Sequence, residues 1–359
     1  MKLIFTILTF SILGFVAIAQ EWSEPILIVE DDYLKGGFDM FIDSEGVIHG
    51  AWHGQNEEDH SQDKIFYSKS LDGGQTWETP TIIDKNRTKY PKIVVDTEGN
   101  IYILYGYLVS YGTTALAVMK MFDGSSWSPR DTISLNMPGS YYYNLEINDD
   151  NEIIAIWDWG QPYYRIYKSG AWGDIKSAYN DNNGRVFRNT SIDNNFVIHA
   201  ATSFYYSGEN ITYERIGISK YKSTTDVWDS TIIISERRVM NGYGITCDIN
   251  SKTHLAYSQY VDTLLRHFNY YAFDNGNGFQ YHQFLSDEMG TDHNIIIDQN
   301  GSVHICYILF PEFDKDENKH FTKLVHYTNM YGVWDSTIID FDYEKNLGVT
   351  CLQKFNNKI

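Results

Sequence analysis

Short runs of alternating apolar and polar residues recur along the chain, and tight polar turns join them in pairs. Residues 41–49 read FIDSEGVIH and residues 296–304 read IIDQNGSVH. Alternation with a period of two predicts β-strands, and an Asp followed closely by a Gly between two such runs predicts a hairpin. No stretch of useful length has the periodicity of an amphipathic helix. The pattern therefore predicts an all-β chain of antiparallel hairpins.

The hairpins belong to a longer repeat. The segment VWDSTII occurs at 227–233 and again at 333–339. Aromatic residues that head an apolar run follow one another at steps of 55, 50, 45, 56, 51 and 55 residues: Trp22, Trp77, Trp127, Trp172, Trp228, Phe279 and Trp334. Turn aspartates interleave at steps of 53, 53, 44, 55 and 50 residues: Asp43, Asp96, Asp149, Asp193, Asp248 and Asp298. Each unit therefore reads as strand, Asp turn, strand, loop, strand, second turn, strand.

Such a unit is a four-stranded antiparallel blade, and blades repeated around an axis form a β-propeller. A parallel β-helix is the rival repeat fold, but its repeats are shorter. Six complete units run from 38 to 340. An outer-type strand at 22–28 and an inner-type strand at 347–352 lie outside them and predict an incomplete seventh blade. The alternative is a closed ring of six blades, with the extra strands packed on an edge.

One of the second turns carries a recognisable motif. Residues 70–77 read SLDGGQTW, which matches S-x-D-x-G-x-T-W at every defined position. Asp72 can accept N–H bonds within the loop, and Gly74 can take a positive φ. Ser70 and Thr76 can add side-chain hydrogen bonds, and Trp77 is expected to enter the core. The chain resembles the sialidase-like (BNR, or Asp-box) β-propellers, whose six-bladed form is the alternative ring. Degenerate turns of the same type occur at 122–127, 168–172 and 273–279.

The first 19 residues have the pattern of a signal peptide. Lys2 supplies the positive charge, residues 3–16 the apolar core, and Ala17-Ile18-Ala19 the cleavage site. A transmembrane anchor is the alternative, but the apolar run is short for that purpose. We therefore expect residues 20–359 to form one propeller domain that is secreted, periplasmic or held at the cell surface. No later stretch is apolar for long enough to span a bilayer.

Composition narrows the range of partners. The formal net charge of −19 argues against nucleic acid, because a phosphate backbone requires a basic face. Aromatic residues make up 16% of the chain, which suits both strands and sugar-stacking surfaces. Cys247, Cys306 and Cys351 are odd in number and form no CxxC pair, so we interpret them as small buried apolar residues. We expect a monomer that needs no cofactor.

The repeat also separates scaffold from site, because a residue that returns in every blade is expected to be structural. Four histidines lie six residues after a turn aspartate, and Tyr102 takes that place in the second blade: His49, His199, His254 and His304. Four histidines suggest a zinc site. One at the same position of each blade instead predicts hydrogen-bonded structural residues. The turns could hold a structural Ca²⁺, although nothing in the sequence requires one.

The resemblance places the functional face opposite the second turns. That face would carry the loops that enter each inner strand and the loops between the second and third strands. Arginine can grip a carboxylate in bidentate fashion, and aromatic rings can stack on sugars. The residues on these loops therefore predict a funnel for an acidic saccharide. The substrate-binding candidates are Arg87, Tyr90, Arg188, Arg238, Trp159, Tyr205 and His53.

Three chemistries fit these loops. A glycosidase needs a pair of carboxylates. The catalytic candidates as a whole are Asp158, Asp292, His293, Tyr142, Tyr243 and Glu312, and the pair would come from Asp158, Asp292 or Glu312. Resemblance to a true sialidase would imply three arginines, a Tyr–Glu pair, an acid Asp and usually an Arg-Ile-Pro motif near the N-terminus. That motif is absent, and the first arginine is Arg87.

The second chemistry is elimination. The chain also resembles secreted propeller polysaccharide lyases such as the ulvan lyases. A lyase needs a base at C5 of a uronate, an acid at the leaving oxygen and a cation on the carboxylate. His293 or His53, Tyr142 or Tyr243, and Arg188 or Arg238 would supply those types. The third possibility is a non-catalytic propeller that binds glycans or proteins, because fold does not fix function.

Overall fold

A computed structural model describes residues 4–5, 26–28, 34–55, 62–110, 114–135, 142–158, 161–178, 186–193, 195, 197–207, 212–222, 224–235, 239, 242–261, 264, 266–275, 278–287, 290–298, 300–314, 319–329 and 333–342. These residues form six successive antiparallel sheets, in each of which neighbouring strands are consecutive in the sequence. The predictions of an all-β fold and of six complete four-stranded blades are confirmed.

The blades are numbered in chain order. Blade 1 contains β3 (Leu34–Ile42), β4 (Ile48–Gln55), β5 (Lys64–Ser70) and β6 (Thr81–Lys85). Blade 2 contains β7 (Thr88–Val95), β8 (Ile101–Ser110), β9 (Thr114–Phe122) and β10 (Asp131–Thr132). Blade 3 contains β11 (Tyr143–Ile147), β12 (Ile153–Asp158) and β13 (Pro162–Lys168), with its outer strand divided into β14 (Ala171–Trp172) and β15 (Lys176–Ser177).

Blade 4 contains β16 (Val186–Ile192), β17 (Val197–Ser207) and β18 (Thr212–Lys222), with its outer strand divided into β19 (Val227–Trp228) and β20 (Ile232–Ser235). Blade 5 contains β21 (Gly244–Cys247), β22 (Thr253–Val261), β23 (Arg266–Asp274) and β24 (Phe279–Ser286). Blade 6 contains β25 (Gly290–Ile297), β26 (Val303–Asp314), β27 (Lys319–Thr328) and β28 (Asp335–Asp342).

Two further strands stand apart from the blades. β1 (Ile4–Phe5) and β2 (Ile26–Leu27) pair with each other in a separate antiparallel sheet. The described part of the predicted outer strand at 22–28 is thus paired with residues near the N-terminus. The predicted inner strand at 347–352 lies outside the described residues. The incomplete seventh blade therefore stays a prediction.

The first turn of each blade is closed by one side chain. In blade 1, Asp43 Oδ1 accepts hydrogen bonds from the backbone N–H groups of Glu45 and Val47, both at 2.9 Å. In blade 3 the equivalent residue is Asn148, whose Oδ1 accepts the N–H of Glu152 at 2.6 Å. The assignment of Asp149 to this series is therefore wrong by one position. An amide oxygen accepts the same bonds as a carboxylate, so the pattern tolerates the exchange.

The recurring histidines contact these turn residues, as predicted. The Nε2 atoms of His49 and His199 lie 3.1 Å from the carboxylates of Asp43 and Asp193. Tyr102 donates to Asp96 at 3.1 Å in the same place. Burial lowers the pKa of both histidines, which favours the neutral ring. Among the described residues, no group of three or more His, Cys, Asp or Glu is arranged to hold a metal ion.

The turn at 70–77 has the hydrogen bonds that its sequence predicts. Ser70 donates to Asp72 at 2.8 Å and accepts the N–H of Gly74 at 2.8 Å. Asp72 also accepts the N–H of Thr76 at 2.9 Å and its hydroxyl at 2.6 Å. These bonds lower the pKa of Asp72 to about 2. Gly74 has a φ of 91°, and the turn delivers Trp77 to the core beside blade 1.

Five apolar clusters of the core lie between successive blades, and each of them contains one of the aromatic residues that head the outer strands. Trp127 packs between blades 1 and 2, Trp172 between 2 and 3, and Trp228 between 3 and 4. Phe279 and Trp334 take the same place in the next two interfaces. Each of these blades thus carries its own aromatic side chain into the interface with the blade before it.

The two described cysteines are free thiols. Cys306 is buried, Cys247 is partly buried, and burial raises the pKa of both thiols, which keeps them in the unreactive protonated form. Cys351 lies outside the described residues. The described part of the chain contains no helix of the length and hydropathy needed to cross a membrane.

Candidate functional site

The innermost strands of all six blades surround one cavity of about 930 Å³. The first turns of the blades lie at one end of it, and the loops that enter the inner strands lie at the other, which we call the mouth. Five of the predicted site residues line this cavity: Tyr90, Tyr142, Tyr243, Asp292 and His293. The six inner strands thus bring together side chains that are 202 residues apart in sequence, from Tyr90 to Asp292.

A backbone irregularity aims some of these side chains at the mouth. Tyr90 and Asp292 both stand six residues before their turn aspartate, and both have a left-handed backbone, with φ of 51° and 52°. The strand register shifts at both places, between Lys89 and Lys92 and between Thr291 and Asn294. Non-glycine residues in this conformation are strained, and such strain collects at functional sites.

One group at the mouth is centred on Asp292. A Cβ atom on Gly242, which has a φ of 90°, would lie 2.9 Å from Asp292 Oδ1, so only glycine fits beside this carboxyl. Burial raises the pKa of Asp292, although a hydrogen bond from Thr291 opposes the shift. A carboxyl in this environment holds its proton to higher pH than an ordinary aspartate.

His293 lies directly behind Asp292 and is buried. Its Nδ1 lies 2.7 Å from the carbonyl oxygen of Gly242, and its Nε2 lies 3.0 Å from Asn269 Oδ1. The ring stacks on Tyr307 at a centroid distance of 4.9 Å. Burial lowers the pKa of His293 to about 4, so the ring is neutral at pH 7. The neutral ring has one N–H, so it can donate to only one of these two acceptors at a time, and its contact with Gly242 ties His293 to the loop that enters blade 5.

A second group lies between blades 1 and 2. His53, which is 2% exposed, has its Nε2 3.5 Å from Oδ2 of the fully buried Asp63. The ring of Tyr90 meets the ring of His53 edge-on at a centroid distance of 6.0 Å, and Tyr90 as a residue is 40% exposed. Arg87, on the loop just before β7, is partly exposed and donates from Nη1 to the carbonyl oxygen of Val109 at 3.2 Å.

Deeper in the cavity is a polar group that the sequence pattern did not single out. Lys92 Nζ lies 3.4 Å from Asp39 Oδ1, and the N–H of Ile93 donates to Asp39 Oδ2 at 2.9 Å. Thr190 donates to Glu146 at 2.5 Å, and burial raises the pKa of Glu146 to about 7. Their inner strands also carry other polar residues, such as Lys89 on β7 and Asn189 on β16, so the sequence pattern alone does not mark these side chains.

The cavity is acidic. Its described lining includes one lysine, Lys92, and no arginine, against seven acidic residues: Asp39, Asp96, Glu146, Asp149, Asp150, Asp193 and Asp292. The predicted clustering of arginine is therefore not found on the described cavity wall, where Arg87 is also not a lining residue. None of the described arginines lines the cavity.

The remaining candidates fall elsewhere. Asp158 is buried at the end of β12 and is not among the described lining residues. Trp159 and Arg238 lie outside the described residues, and the side chains of Arg188, Tyr205 and Glu312 do also. Their predicted roles stay predictions.

Comparison with known proteins gives matches among solved structures only. No family profile and no curated protein matches the chain. An ulvan lyase of polysaccharide lyase family PL25, bound to -[GlcA(1-4)Rha3S]-, superposes with a TM-score of 0.58 at 13% identity, covering 84% of this chain and 82% of that one. An α-L-arabinofuranosidase from Fusarium graminearum, in complex with an iminosugar inhibitor, superposes with a TM-score of 0.52 at 11% identity, covering 77% of this chain and 89% of that one.

The intramolecular trans-sialidase from Ruminococcus gnavus, in complex with oseltamivir carboxylate, gives a TM-score of 0.51 at 10% identity, covering 76% of this chain and 90% of that one. Identities this low show the fold alone. The chain has the β-propeller fold of these enzymes.

Proposed function

We propose that this protein hydrolyses a glycosidic bond at the mouth of the central cavity, with Asp292 as the proton donor. The observation that carries the proposal is the environment of Asp292: a strained, largely desolvated carboxyl with a raised pKa, next to a glycine that admits it. A glycosidase acid must be protonated at working pH, and burial is the usual means. Likeness to three kinds of carbohydrate-active propellers supports the choice of substrate class.

The reaction needs a second carboxylate to accept a proton from water. Asp39 is the candidate, because Lys92 and the N–H of Ile93 hold its oxygens in place. Asp39 is four residues before its turn and Asp292 six, so Asp39 lies deeper in the cavity than Asp292. The proton of Asp292 moves to the leaving oxygen as the C–O bond breaks. Water then adds to the anomeric carbon and gives its proton to Asp39.

The acidic wall of the cavity favours a reaction in which the substrate becomes positively charged. Positive charge develops on the sugar ring during glycoside cleavage, and fixed negative groups stabilise it in a site that excludes water. The same wall opposes a substrate carboxylate inside the cavity. The acidic group of an anionic glycan would therefore lie at the rim beside Arg87, with a neutral ring in the cavity. Tyr90 and Tyr142, 40% and 38% exposed, offer ring faces for stacking.

Elimination is the second candidate, and Arg87 favours it. Arg87 is on the loop just before β7, which carries Tyr90, so a uronate carboxylate bound beside them would meet both a cation and a phenol. In that reaction a base takes the C5 proton, the C4–O bond breaks, and the leaving oxygen gains a proton, with a C4=C5 double bond in the product. The developing negative charge needs a cation, and the described cavity wall supplies only Lys92.

The test is incubation of the purified chain with arabinan oligosaccharides, sialyllactose and oligoglucuronates. Reducing ends and the ultraviolet absorbance of unsaturated uronates would both be followed. We expect new reducing ends without absorbance. Both signals together would replace hydrolysis by elimination. Retention of a glycan on an affinity gel without cleavage would overturn both and leave a binding protein.

A further inference from the structure

The group formed by His53, Asp63 and Tyr90 contacts a pair of adjacent glycines, and the strand register shifts between Gly36 and Phe38, at Gly37. Gly36 and Gly37 lie in the middle of β3, and neither is among the residues with positive φ. A Cβ on Gly36 would lie 2.6 Å from His53 Nδ1. A Cβ on Gly37 would lie 2.7 Å from Tyr90 Cδ1 and 3.1 Å from its Cα. The two positions leave room for two rings, since glycine inside a strand often marks such a close approach.

His53 is buried without hydrogen bonds to its ring from the described residues, which is unusual for a polar side chain. Neither of its ring nitrogens has a hydrogen-bond partner in the described structure, and its contact with Asp63 is long for a hydrogen bond at 3.5 Å. Buried polar groups without hydrogen bonds reduce stability, so their presence needs a reason. The backbone of Asp63 is held in place by Thr88, whose hydroxyl donates a hydrogen bond to the carbonyl oxygen of Asp63 at 3.2 Å.

Tyr90 completes the group. Its backbone is strained, its ring meets the ring of His53 edge-on, and the residue is still 40% exposed at the mouth of the cavity. Strained conformations persist only where the surroundings over-determine them. Here the surroundings are Gly37 below the ring, His53 at its edge and Asp63 behind His53.

We infer that Gly37, His53 and Asp63 form a rigid seat that holds Tyr90 as a stacking platform for a sugar ring. Tyr90 is the specificity-determining residue, and the other three are positioning residues. The inference rests on the proposed function for its ligand class, a neutral pyranose or furanose ring. A fixed aromatic ring loses little conformational entropy on binding, so its preorganisation adds to affinity. A mobile ring would give the same contacts with weaker binding.

The experiment separates binding from catalysis. Tyr90→Ala, Gly37→Ala and Asp63→Asn are expected to raise KM about tenfold with kcat within about twofold of the starting protein, while Tyr90→Phe keeps the ring and restores KM. Gly217→Ala is the matched control, because its Cβ would lie 2.5 Å from Thr231 Cγ2 in blade 4, far from the mouth. It should lower the melting temperature without changing KM.

Nitration of the free protein, mapped to Tyr90 by mass spectrometry, gives a readout that does not need a substrate. Asp63→Asn should change the nitration rate of Tyr90, and Gly217→Ala should not. An unchanged KM and an unchanged nitration rate in both Gly37→Ala and Asp63→Asn would overturn the seat, even with hydrolysis confirmed. A chain that retains oligosaccharides through Tyr90 but cleaves none would overturn hydrolysis and leave the seat in place. Failure to bind or cleave any of the three probes would overturn both.

Discussion

Asp292 is the residue on which the proposed chemistry depends. Asp292→Asn removes the proton donor and is expected to lower kcat by about 10²- to 10⁴-fold with little change in KM. Asp287→Asn is the control, because Asp287 is exposed on the loop that leads into β25, the strand of Asp292, and pairs with Arg266 at 3.1 Å. The measurement is the initial rate of each variant on the oligosaccharide that the starting protein cleaves fastest. A similar loss in both variants would remove Asp292 from the mechanism.

The pH dependence follows from the same carboxyl. Because burial raises the pKa of Asp292, its acid form persists to higher pH than that of an ordinary aspartate. We expect kcat/KM to fall as pH rises through that raised pKa, since the donor loses its proton. A pH–rate profile of the starting protein measures it. A rate that rises steadily with pH across the range would assign Asp292 the role of a base.

Glu146 links pH to stability. Its pKa is about 7 in the folded protein, against 4.5 in the unfolded chain, so the folded state binds the proton more tightly. Its contribution to stability is complete below pH 4.5 and is lost as pH rises through about 7. Glu146→Gln removes this titration. The free energy of unfolding of the variant, relative to that of the starting protein, should therefore rise by about 1–3 kcal/mol from pH 4 to pH 8. Denaturant unfolding of both proteins at the two pH values tests this, and a pH-independent difference would contradict it.

The hairpin turns show how far sequence reasoning reaches at the level of the element. The strands and turns follow from alternation and from the Asp–Gly spacing, which are local properties. The error at Asp149 arose where Asn148 and Asp149 are adjacent and both are good turn residues. Only the hydrogen bond from Glu152 to Asn148 decides between them.

The assignment of Asn148, and not Asp149, as the residue that closes the turn can be tested by mutation. Asn148→Ala removes the acceptor that closes the turn and should destabilise the protein by about 1 kcal/mol. Asp149→Ala, one residue along on an exposed position, should change stability by less than about 0.5 kcal/mol. Thermal unfolding of the two variants makes the comparison. Equal losses would mean that both side chains close the turn.

The candidate site was less accessible to sequence reasoning than the fold. Tyr90, Tyr142, Tyr243, Asp292 and His293 were found because the repeat assigns them to the loops at one end of the inner strands. Asp63, Asp39 and Glu146 were missed, since their importance comes from burial and from neighbours on other blades. The left-handed backbone at Asp292 has no sequence signal of its own, because Asp is also common in ordinary turns.

At the level of the whole molecule, buried histidines make the propeller sensitive to acid. Burial lowers the pKa of His293 and of His326 to about 4, and also lowers those of His49, His199, His254 and His304. A lowered pKa means that the folded state favours the neutral ring. The stability from each histidine is complete above its unfolded pKa of 6.5 and is lost as pH falls toward the folded value.

The repeat itself suggests the variant that tests this. His326 Nε2 lies 3.2 Å from His304 Nδ1, where blades 1 and 5 place the hydroxyls of Tyr67 and Tyr271 against their own histidines. His326→Tyr should fold normally at pH 7. Its melting temperature should decrease less between pH 7 and pH 4 than that of the starting protein. Parallel melting curves for the two proteins would contradict the role assigned to this pair.

The placement of the aromatic residues between blades bears on the order in which the ring is built. Each of Trp127, Trp172, Trp228, Phe279 and Trp334 fills the gap between its own blade and the blade synthesised just before it. A nascent chain can therefore seal each interface as soon as the later blade leaves the ribosome, without waiting for the C-terminal half. The architecture permits growth one blade at a time from the N-terminus, with every step protecting the apolar face that the previous step left open.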